Sequence, residues 1–260
     1  MINVYIITHK KFICPDINIY KPLKVGNNNA DFGYIDDSTQ DNISKKNPNY
    51  CELTGLYWIW KNDMESDVVG ICHYRRYFTK GKILKSVKRN FLTEKDIKKY
   101  LKYNDIILPK LEIYKESAYE QYCQNSGFSK DLDAVRKIIE KKFPDYVKSY
   151  DDVMKKNKMF QYNMMICDKK TYNEYCEWLF SILFELEKKV DLAQYNNYQK
   201  RIYGFLGERL LNVWVYKNNL KIKQCSVVNT EAGFKDKIKI SLRRIKNYII
   251  FKLTESKRWN

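Results

Sequence analysis

Val68-Val69-Gly70-Ile71-Cys72-His73-Tyr74-Arg75-Arg76-Tyr77-Phe78 is the stretch that decides the fold of this chain. It begins as an apolar run typical of a buried strand and ends on a histidine and two adjacent arginines. In an open α/β sheet, ligands bind outside the carboxyl ends of the strands. A guanidinium presents a rigid fork of donors that fits phosphate oxygens. The sequence therefore predicts an anion site at this strand end, formed by His73, Arg75 and Arg76.

The alternative interpretation is structural. Arg75 or Arg76 would then pair with a buried carboxylate, and His73 would be a core histidine with its hydrogen bonds satisfied. Two adjacent arginines cannot both point into a core, so the cluster favours the anion site. Thr8, which ends the first predicted strand, and His9 and Lys10, which follow it, are assigned to the same ligand.

The fold class follows from the alternation of strands and helices along the chain. Apolar strand patterns alternate with helical patterns, which predicts an α/β fold with a mostly parallel central sheet. Residues 1–232 are expected to form one domain and residues 233–260 a basic tail. The sequence contains neither the dinucleotide-binding pattern G-x-G-x-x-G nor the P-loop pattern G-x-x-x-x-G-K-[ST]. Side chains must therefore provide many of the contacts to any bound phosphate. The strands are predicted at residues 2–8, 68–72, 105–109, 161–167 and 220–228, and the helices at 47–61, 93–102, 115–157 (broken at Gly127 and Pro144), 171–189 and 199–217.

Composition limits the classes of function. The net charge is +17, which is compatible with nucleic-acid binding. However, the tail alone holds nine Lys and Arg against two acids, and no RNP, helix-turn-helix or zinc-finger pattern is present. Seven cysteines at irregular spacing, without a C-x-x-C pair, argue against a disulfide framework and a zinc site. The chain shows no signal peptide and no apolar run long enough to span a membrane, so a cytoplasmic location is expected.

Three polar residues interrupt apolar stretches and are candidates for the site. Glu52 lies in the predicted helix 47–61, where a buried carboxylate needs a partner such as Arg75 or Arg76. It either holds an arginine in place or contacts the ligand directly. Asn163 enters the strand 161–167 and could hydrogen-bond a sugar or a phosphate.

The segment Gly204-Phe205-Leu206-Gly207-Glu208-Arg209 supplies the candidate general base. Glu208 is predicted near the start of an otherwise apolar helix, beside two glycines that leave room for a ligand. Asn212, four residues on, shares its face, and Asn212 and Arg209 are assigned to the acceptor side. The alternative is a salt bridge between Glu208 and Arg209 or Arg201.

These motifs resemble those of a bacterial capsular and exopolysaccharide synthesis family of glycosyltransferases, often described only as a domain of unknown function. The likeness spans about residues 2–228. One departure is that the family often carries histidine between Tyr122 and Leu132, where this chain has none. The segments that carry the resemblance are 41–47, 50–54, 58–62, 70–78, 105–109, 175–180 and 204–211.

The resemblance implies a GT-A-like domain that takes the sugar from a UDP-sugar, with galactofuranose or galactose favoured. The implied acceptor is a lipid-linked saccharide or an oligosaccharide. Many GT-A enzymes hold Mn²⁺ or Mg²⁺ with Asp-x-Asp, whereas the strand here ends on His73-Tyr74-Arg75. Asp36-Asp37 is the only nearby acidic pair. A metal-independent reaction is therefore favoured, with cationic side chains neutralising the diphosphate.

The tail shows an apolar stripe at spacings of three and four residues, bordered by Lys and Arg. This pattern is typical of a helix in a membrane interface, here the inner face of the cell membrane. The alternative is that the stripe packs on the domain or on a second copy. A nucleic-acid-binding protein and a non-catalytic peripheral membrane protein are the competing functions for the whole chain. The stripe consists of Phe234, Ile238, Leu242, Ile245, Ile249 and Leu253. The basic residues along it are Lys235, Lys237, Lys239, Arg243, Arg244 and Lys246.

Overall fold

The computed structural model describes residues 1–26, 30–81 and 90–258. The turn-forming, polar sequence of residues 26–46 predicts a loop, of which residues 27–29 lie outside the described residues. Within them the chain forms an α/β fold. The strands are β1 (Ile2–Thr8), β2 (Tyr20–Lys24), β3 (Ile35–Asp36), β4 (Val68–His73), β5 (Arg76–Thr79), β6 (Ile106–Pro109), β7 (Glu112–Ile113), β8 (Lys158–Met159), β9 (Met165–Asp168) and β10 (Ile222–Asn229).

The helices surround the sheet and confirm most of the predicted ones. The predicted breaks near Gly127 and Pro144 both occur, because the helical region from 118 to 155 is divided into three helices. The helices are α1 (Asn47–Tyr50), α2 (Leu53–Asn62), α3 (Glu94–Leu101), α4 (Ala118–Asn125), α5 (Ser129–Lys142), α6 (Val147–Lys155), α7 (Lys169–Glu187), α8 (Ile202–Lys217) and α9 (Phe234–Arg258).

The main sheet is mixed, so the prediction of a mostly parallel sheet is wrong. Its strand order is β3-β2-β1-β4-β5-β10-β6-β9, with a further pairing between β4 and β9. The pairings among β1, β2, β3 and β4 are parallel, whereas β5 and β9 are antiparallel to both of their neighbours. For β5 the cause is local: the chain turns back directly after His73, and Arg76 pairs with His73 as the first residue of β5.

β4 lies at the centre of this arrangement. It pairs with β1 along its whole length, from Val68 opposite Ile2 to His73 opposite Ile7. All seven residues of β1 are buried, as expected for a strand covered on both faces. Tyr5 and Ile7 face the larger cluster of buried residues with α2, α7 and α8, while Ile2, Val4 and Ile6 face the smaller one.

The predicted helix 47–61 is interrupted at Cys51, which takes φ 52° and ψ −129°. Asn47 stabilises the break, because its side-chain amide donates to the Cys51 carbonyl at 2.8 Å and to Thr54 Oγ1 at 3.1 Å. Glu52 consequently lies immediately before α2 rather than inside a continuous helix. The break brings its side chain to the edge of the sheet.

The tail forms the long helix α9. No described helix combines the length and the apolar character needed to cross a bilayer.

Candidate active site

The candidate site lies where the strand order reverses. β2 and β3 follow β1 on one side, and the chain then returns to place β4 on the other side of β1. In α/β sheets the crevice outside the carboxyl ends of the strands at such a switch point is the usual ligand site. The ends of β1 and β4, at Thr8 and His73, both lie at this edge and line one cavity.

The cavity has a volume of about 740 Å³, within the roughly 300–1,000 Å³ range of small-molecule sites. Four arginines and two glutamates line it within the described residues, which leaves two positive charges in excess. A nucleoside diphosphate carries charge of the opposite sign at its diphosphate, so the cavity suits it electrostatically. The charged lining residues are Arg75, Arg76, Arg201, Arg209, Glu52 and Glu208.

Arg75 and Arg76 are half-buried and face the cavity. Neither forms an ion pair with a carboxylate anywhere in the described ranges. The Arg75 Nε is buried and has no hydrogen-bond partner among the described residues. The Arg76 guanidinium lies 4.5 Å from the centre of the Tyr162 ring, which orients it without neutralising it. Both side chains are therefore available to an anion.

Both histidines of the site have lowered pKa values. Burial lowers the pKa of His73 to about 4, so this imidazole is neutral at physiological pH. Its Nε2 lies 2.7 Å from the Tyr162 carbonyl oxygen, which makes Nε2 the protonated nitrogen. Burial, with Lys10 and Arg75 close by, also lowers the pKa of His9.

The remaining residues assigned to β1 lie at the margin of the site. Thr8 Oγ1 donates to the Lys10 carbonyl at 2.6 Å and so shapes the turn after the strand. The Lys10 ammonium pairs with Glu231 at 2.9 Å and lies 4.7 Å from the Tyr74 ring. Thr8 and His9 line the cavity, whereas Lys10 does not.

Glu52 is held by Asn163 and not by an arginine. The Asn163 amide donates to Glu52 Oε1 at 2.7 Å and to the Gly204 carbonyl at 3.1 Å. Asn163 is fully buried and lies behind the cavity wall. Its observed role is to position Glu52, whose pKa is raised by burial.

Glu208 also lies at the cavity wall, in the second turn of α8. Its Oε1 accepts the backbone N–H of Tyr162 at 2.9 Å. In the described part of the chain it forms no ion pair with Arg201 or Arg209, which were the alternatives considered from sequence. Burial raises the pKa of Glu208, and the Glu52 carboxylate raises it further while Arg209 opposes the shift. A carboxylate with a raised pKa and access to a cavity can act as a general base.

The glycines of α8 serve close packing and do not leave room for a ligand. A Cβ at Gly204 would lie 3.2 Å from the Cβ of Cys51, and one at Gly207 would lie 2.9 Å from Leu53 Cδ1. The helix can therefore approach the segment that carries Glu52. This approach brings the two carboxylates to one cavity, which the sequence interpretation of these glycines did not anticipate.

The two residues assigned to the acceptor side differ in exposure to the site. Arg209 lines the cavity, although it is only 2% exposed, and it donates to Gln121 Oε1 and to the Phe205 carbonyl. Asn212 bonds the backbone N–H and carbonyl of Phe160 at 2.8 and 2.9 Å. It supports the segment before Tyr162 and does not line this cavity.

The backbone at Tyr162 and Asn163 is in the left-handed region, with φ values of 78° and 48°. Such conformations persist where the surroundings enforce them, and they often occur at functional sites. Sequence analysis placed these residues in a strand, but β9 starts only at Met165. The polar residues before the apolar run were the one sequence feature that indicated an irregular segment here.

Arg201 is the cavity residue whose placement sequence analysis missed. Its sequence context predicts only a salt bridge to Glu208. Its Nε donates to Cys51 Sγ at 3.2 Å, and its guanidinium lies 5.3 Å from the Phe205 ring. Its position depends on the break in the helix at Cys51, which no sequence pattern predicted.

The donor set does not fit a metal held as in Asp-x-Asp enzymes. Asp36 pairs with Lys24 at 2.6 Å, and Asp37 accepts from Ser44 and from the Gly26 backbone. Within residues 1–26, 30–81 and 90–258, no three His, Cys, Asp or Glu side chains are grouped to hold an ion.

A larger cavity, of about 930 Å³, lies beneath α9. Its described lining includes Lys115, Lys155, Lys156 and Phe251 but neither of the two candidate carboxylates. It shares with the first cavity a wall formed by α8 and the segment 160–162. The smaller cavity is the candidate active site because the arginines and both carboxylates converge there.

The fold and the site define an α/β protein with an arginine-lined crevice at the switch point of its sheet, and the fold is similar to that of a glycosyltransferase. The solved apo structure of the bifunctional glycosyltransferase WbbM matches with a TM-score of 0.83 and 31% sequence identity. The match covers 89% of this chain and 45% of that one, so this chain spans less than half the length of the relative.

The family model described as "Domain of unknown function (DUF4422)" matches residues 3–219, and the chain belongs to this family. No curated protein matches the chain.

Proposed function

We propose that this chain is a glycosyltransferase that takes its sugar from a UDP-sugar and transfers it to a hydroxyl of a saccharide acceptor. The observation that carries the proposal is the convergence of Arg75 and Arg76 with Glu52 and Glu208 in one cavity at the switch point. The similarity to a glycosyltransferase structure supports the reaction class. Since WbbM is bifunctional and this chain spans 45% of it, we propose one transfer activity here.

The arginines would hold the diphosphate. Arg75 has an unpartnered buried Nε, and Arg76 is oriented by Tyr162. As the bond between the anomeric carbon and the β-phosphate oxygen breaks, the electron pair leaves with UDP. The extra negative charge develops where the cations already lie, which stabilises the transition state. Because the arginines supply this charge, we propose that transfer does not require a metal.

Glu208 is the proposed general base. The acceptor oxygen forms the new bond to the anomeric carbon, and its proton passes to the Glu208 carboxylate. This assignment presumes an inverting reaction, and Glu52 is the other carboxylate that could take the role. The neutral His73 holds the Tyr162 carbonyl and thereby fixes the segment beside Glu208.

The finer assignments rest on the family resemblance. We propose galactofuranose or galactose as the sugar and a lipid-linked saccharide or an oligosaccharide as the acceptor, in the synthesis of capsular polysaccharide, exopolysaccharide or another surface glycan. The protein would then work in the cytoplasm at the inner face of the membrane.

A thermal-shift panel tests the donor class. UDP, UDP-galactofuranose, UDP-galactose and UDP-glucose are compared with an RNA oligonucleotide of matched phosphate concentration. A ligand at about 100 times its Kd adds roughly 2.7 kcal/mol to the free energy of unfolding. Stabilisation by UDP-sugars but not by RNA supports the proposal, and the reverse result identifies a nucleic-acid-binding protein. Transfer that persists in a chelator supports the metal-independent reaction.

A further inference from the structure

Helix α9 is attached to the domain by one face. Arg243 Nη2 and Arg244 Nε donate to the two oxygens of Glu112, at 3.0 and 2.8 Å. Glu112 belongs to β7 and is only 5% exposed. The Asn247 amide donates to the Ile113 carbonyl at 2.8 Å, and Phe251 is buried near the Lys158 ammonium, 3.8 Å from its ring centre. These contacts fix the helix on the domain.

The opposite face of α9 is apolar and exposed. Leu242, Ile245 and Ile249 are 61%, 57% and 51% exposed, and Tyr248 beside them is 52% exposed. At about 100° per residue these three aliphatic side chains share one narrow face, roughly 180° from that of Asn247 and Phe251. They belong to the stripe predicted from sequence, so the described part of that stripe does not pack on the domain. The side chains of Phe234, Ile238, Lys237 and Leu253 lie outside the description.

The exposed face has a basic border. Lys239, Lys246 and Lys252 are exposed along it. The sequence from Lys237 to Thr254 contains no Asp or Glu. A second copy of this helix would bring the same cations together, which disfavours self-association through this face. An anionic bilayer offers both an apolar interior for the aliphatic side chains and negative headgroups for the lysines.

We propose that α9 lies in the interface of an anionic membrane with Leu242, Ile245 and Ile249 immersed, while Glu112 keeps the helix attached to the domain. Binding to the membrane requires neither unfolding of α9 nor its release from the domain, because the immersed face is the one that the domain leaves free. The assignment of a membrane-binding surface rests on α9 alone. Its purpose, access to a lipid-linked acceptor, rests on the proposed function.

Vesicle flotation of the full-length protein tests this proposal. Vesicles of phosphatidylcholine are compared with vesicles that also contain phosphatidylglycerol, at low and high salt. The Leu242→Glu/Ile249→Glu double variant is compared with Met64→Glu, which introduces one of the two negative charges at a residue that is 86% exposed outside α9. The oligomeric state of each protein is measured by light scattering.

We expect the wild type and Met64→Glu to float with the anionic vesicles, with binding that weakens in high salt. The double variant should lose at least tenfold in vesicle partitioning. The proposal is overturned if the wild type does not bind anionic vesicles or if the double variant binds equally well. A wild-type dimer that the double variant converts to a monomer, without vesicle binding, would instead identify a self-association surface. Thermal shifts with UDP on the same samples report the proposed function separately, since these substitutions lie outside the cavity.

Discussion

The carboxylate of Glu208 and the backbone N–H of Tyr162 are joined by a hydrogen bond of 2.9 Å. The ring of Tyr162 lies beneath the Arg76 guanidinium, 4.5 Å away, and its carbonyl contacts His73. The proposed base and a proposed phosphate ligand are thus linked through one residue in a left-handed conformation. A substitution that displaces the Tyr162 backbone is therefore expected to affect both binding and chemistry.

Arg75→Ala and Arg76→Ala should each weaken UDP binding. Loss of one charge-assisted contact costs about 2–3 kcal/mol, or roughly 30- to 150-fold in Kd. Titration calorimetry with UDP measures the effect. Arg136→Ala is the matched control, because Arg136 pairs with Asp151 on the domain surface. Affinities within twofold of wild type for both variants would refute the phosphate assignment.

Glu208→Gln should preserve donor binding and reduce turnover. Glutamine can still accept the Tyr162 N–H through its amide oxygen, but it cannot take a proton. We expect kcat to fall about 10²-fold or more, with the Kd for UDP nearly unchanged. Steady-state kinetics and calorimetry on one preparation measure both quantities. A near-normal kcat would move the role of base to Glu52, which Glu52→Gln then tests.

The stability of the protein should respond to pH through Glu208. Its pKa is raised in the folded state by burial, so the folded protein binds this proton more tightly than the unfolded chain. The stabilisation is present below the unfolded pKa of about 4.3 and is lost as the pH rises through the folded value. Glu208→Gln removes this loss. Its free energy of unfolding, relative to wild type, should therefore increase from about pH 4 to about pH 8.

Urea unfolding at the two pH values measures this change. Asp151→Asn is the opposite control, because the hydrogen bond from Arg136 lowers the pKa of Asp151. That variant should lose stability relative to wild type as the pH rises towards about 4, the unfolded pKa of an aspartate, so this control is also measured at about pH 2. Equal pH responses of the wild type and Glu208→Gln would show that burial does not strain this carboxylate.

Asn163 should reveal two separable contributions. Asn163→Gly and Asn163→Ala both leave Glu52 and the Gly204 carbonyl without their donor. This loss should lower the free energy of unfolding by about 1–3 kcal/mol. Alanine must in addition adopt the positive φ of 48°, which costs it roughly 1 kcal/mol more than glycine. Urea unfolding of both variants measures the difference. Equal stabilities would mean that the backbone relaxes at this position.

The sequence was sufficient to predict those features that local patterns encode. The apolar run at Val68 predicted β4 and the polar residues at its end, and the cavity contains His73, Arg75 and Arg76. The α/β class followed from alternating elements. The antiparallel strands β5 and β9 did not, because strand direction depends on a two-residue turn and on distant pairing.

The site itself was predictable in its residue types but not in its contacts. Glu52 was expected beside an arginine, yet Asn163 reaches it from 111 residues away. That contact requires the backbone break at Cys51 and the close approach of α8 at Gly204 and Gly207. Both depend on packing between distant segments, which a periodicity of apolar residues does not report.

The unpartnered Nε of Arg75 has a consequence for the life of the protein between reactions. A buried donor without an acceptor is costly to the folded state, and a bound phosphate would remove that cost. If a nucleotide sugar binds as proposed, the unliganded protein would be the less stable form and the one that opens more often to proteases. Limited proteolysis should slow when UDP is added, and Arg75→Ala should diminish that protection.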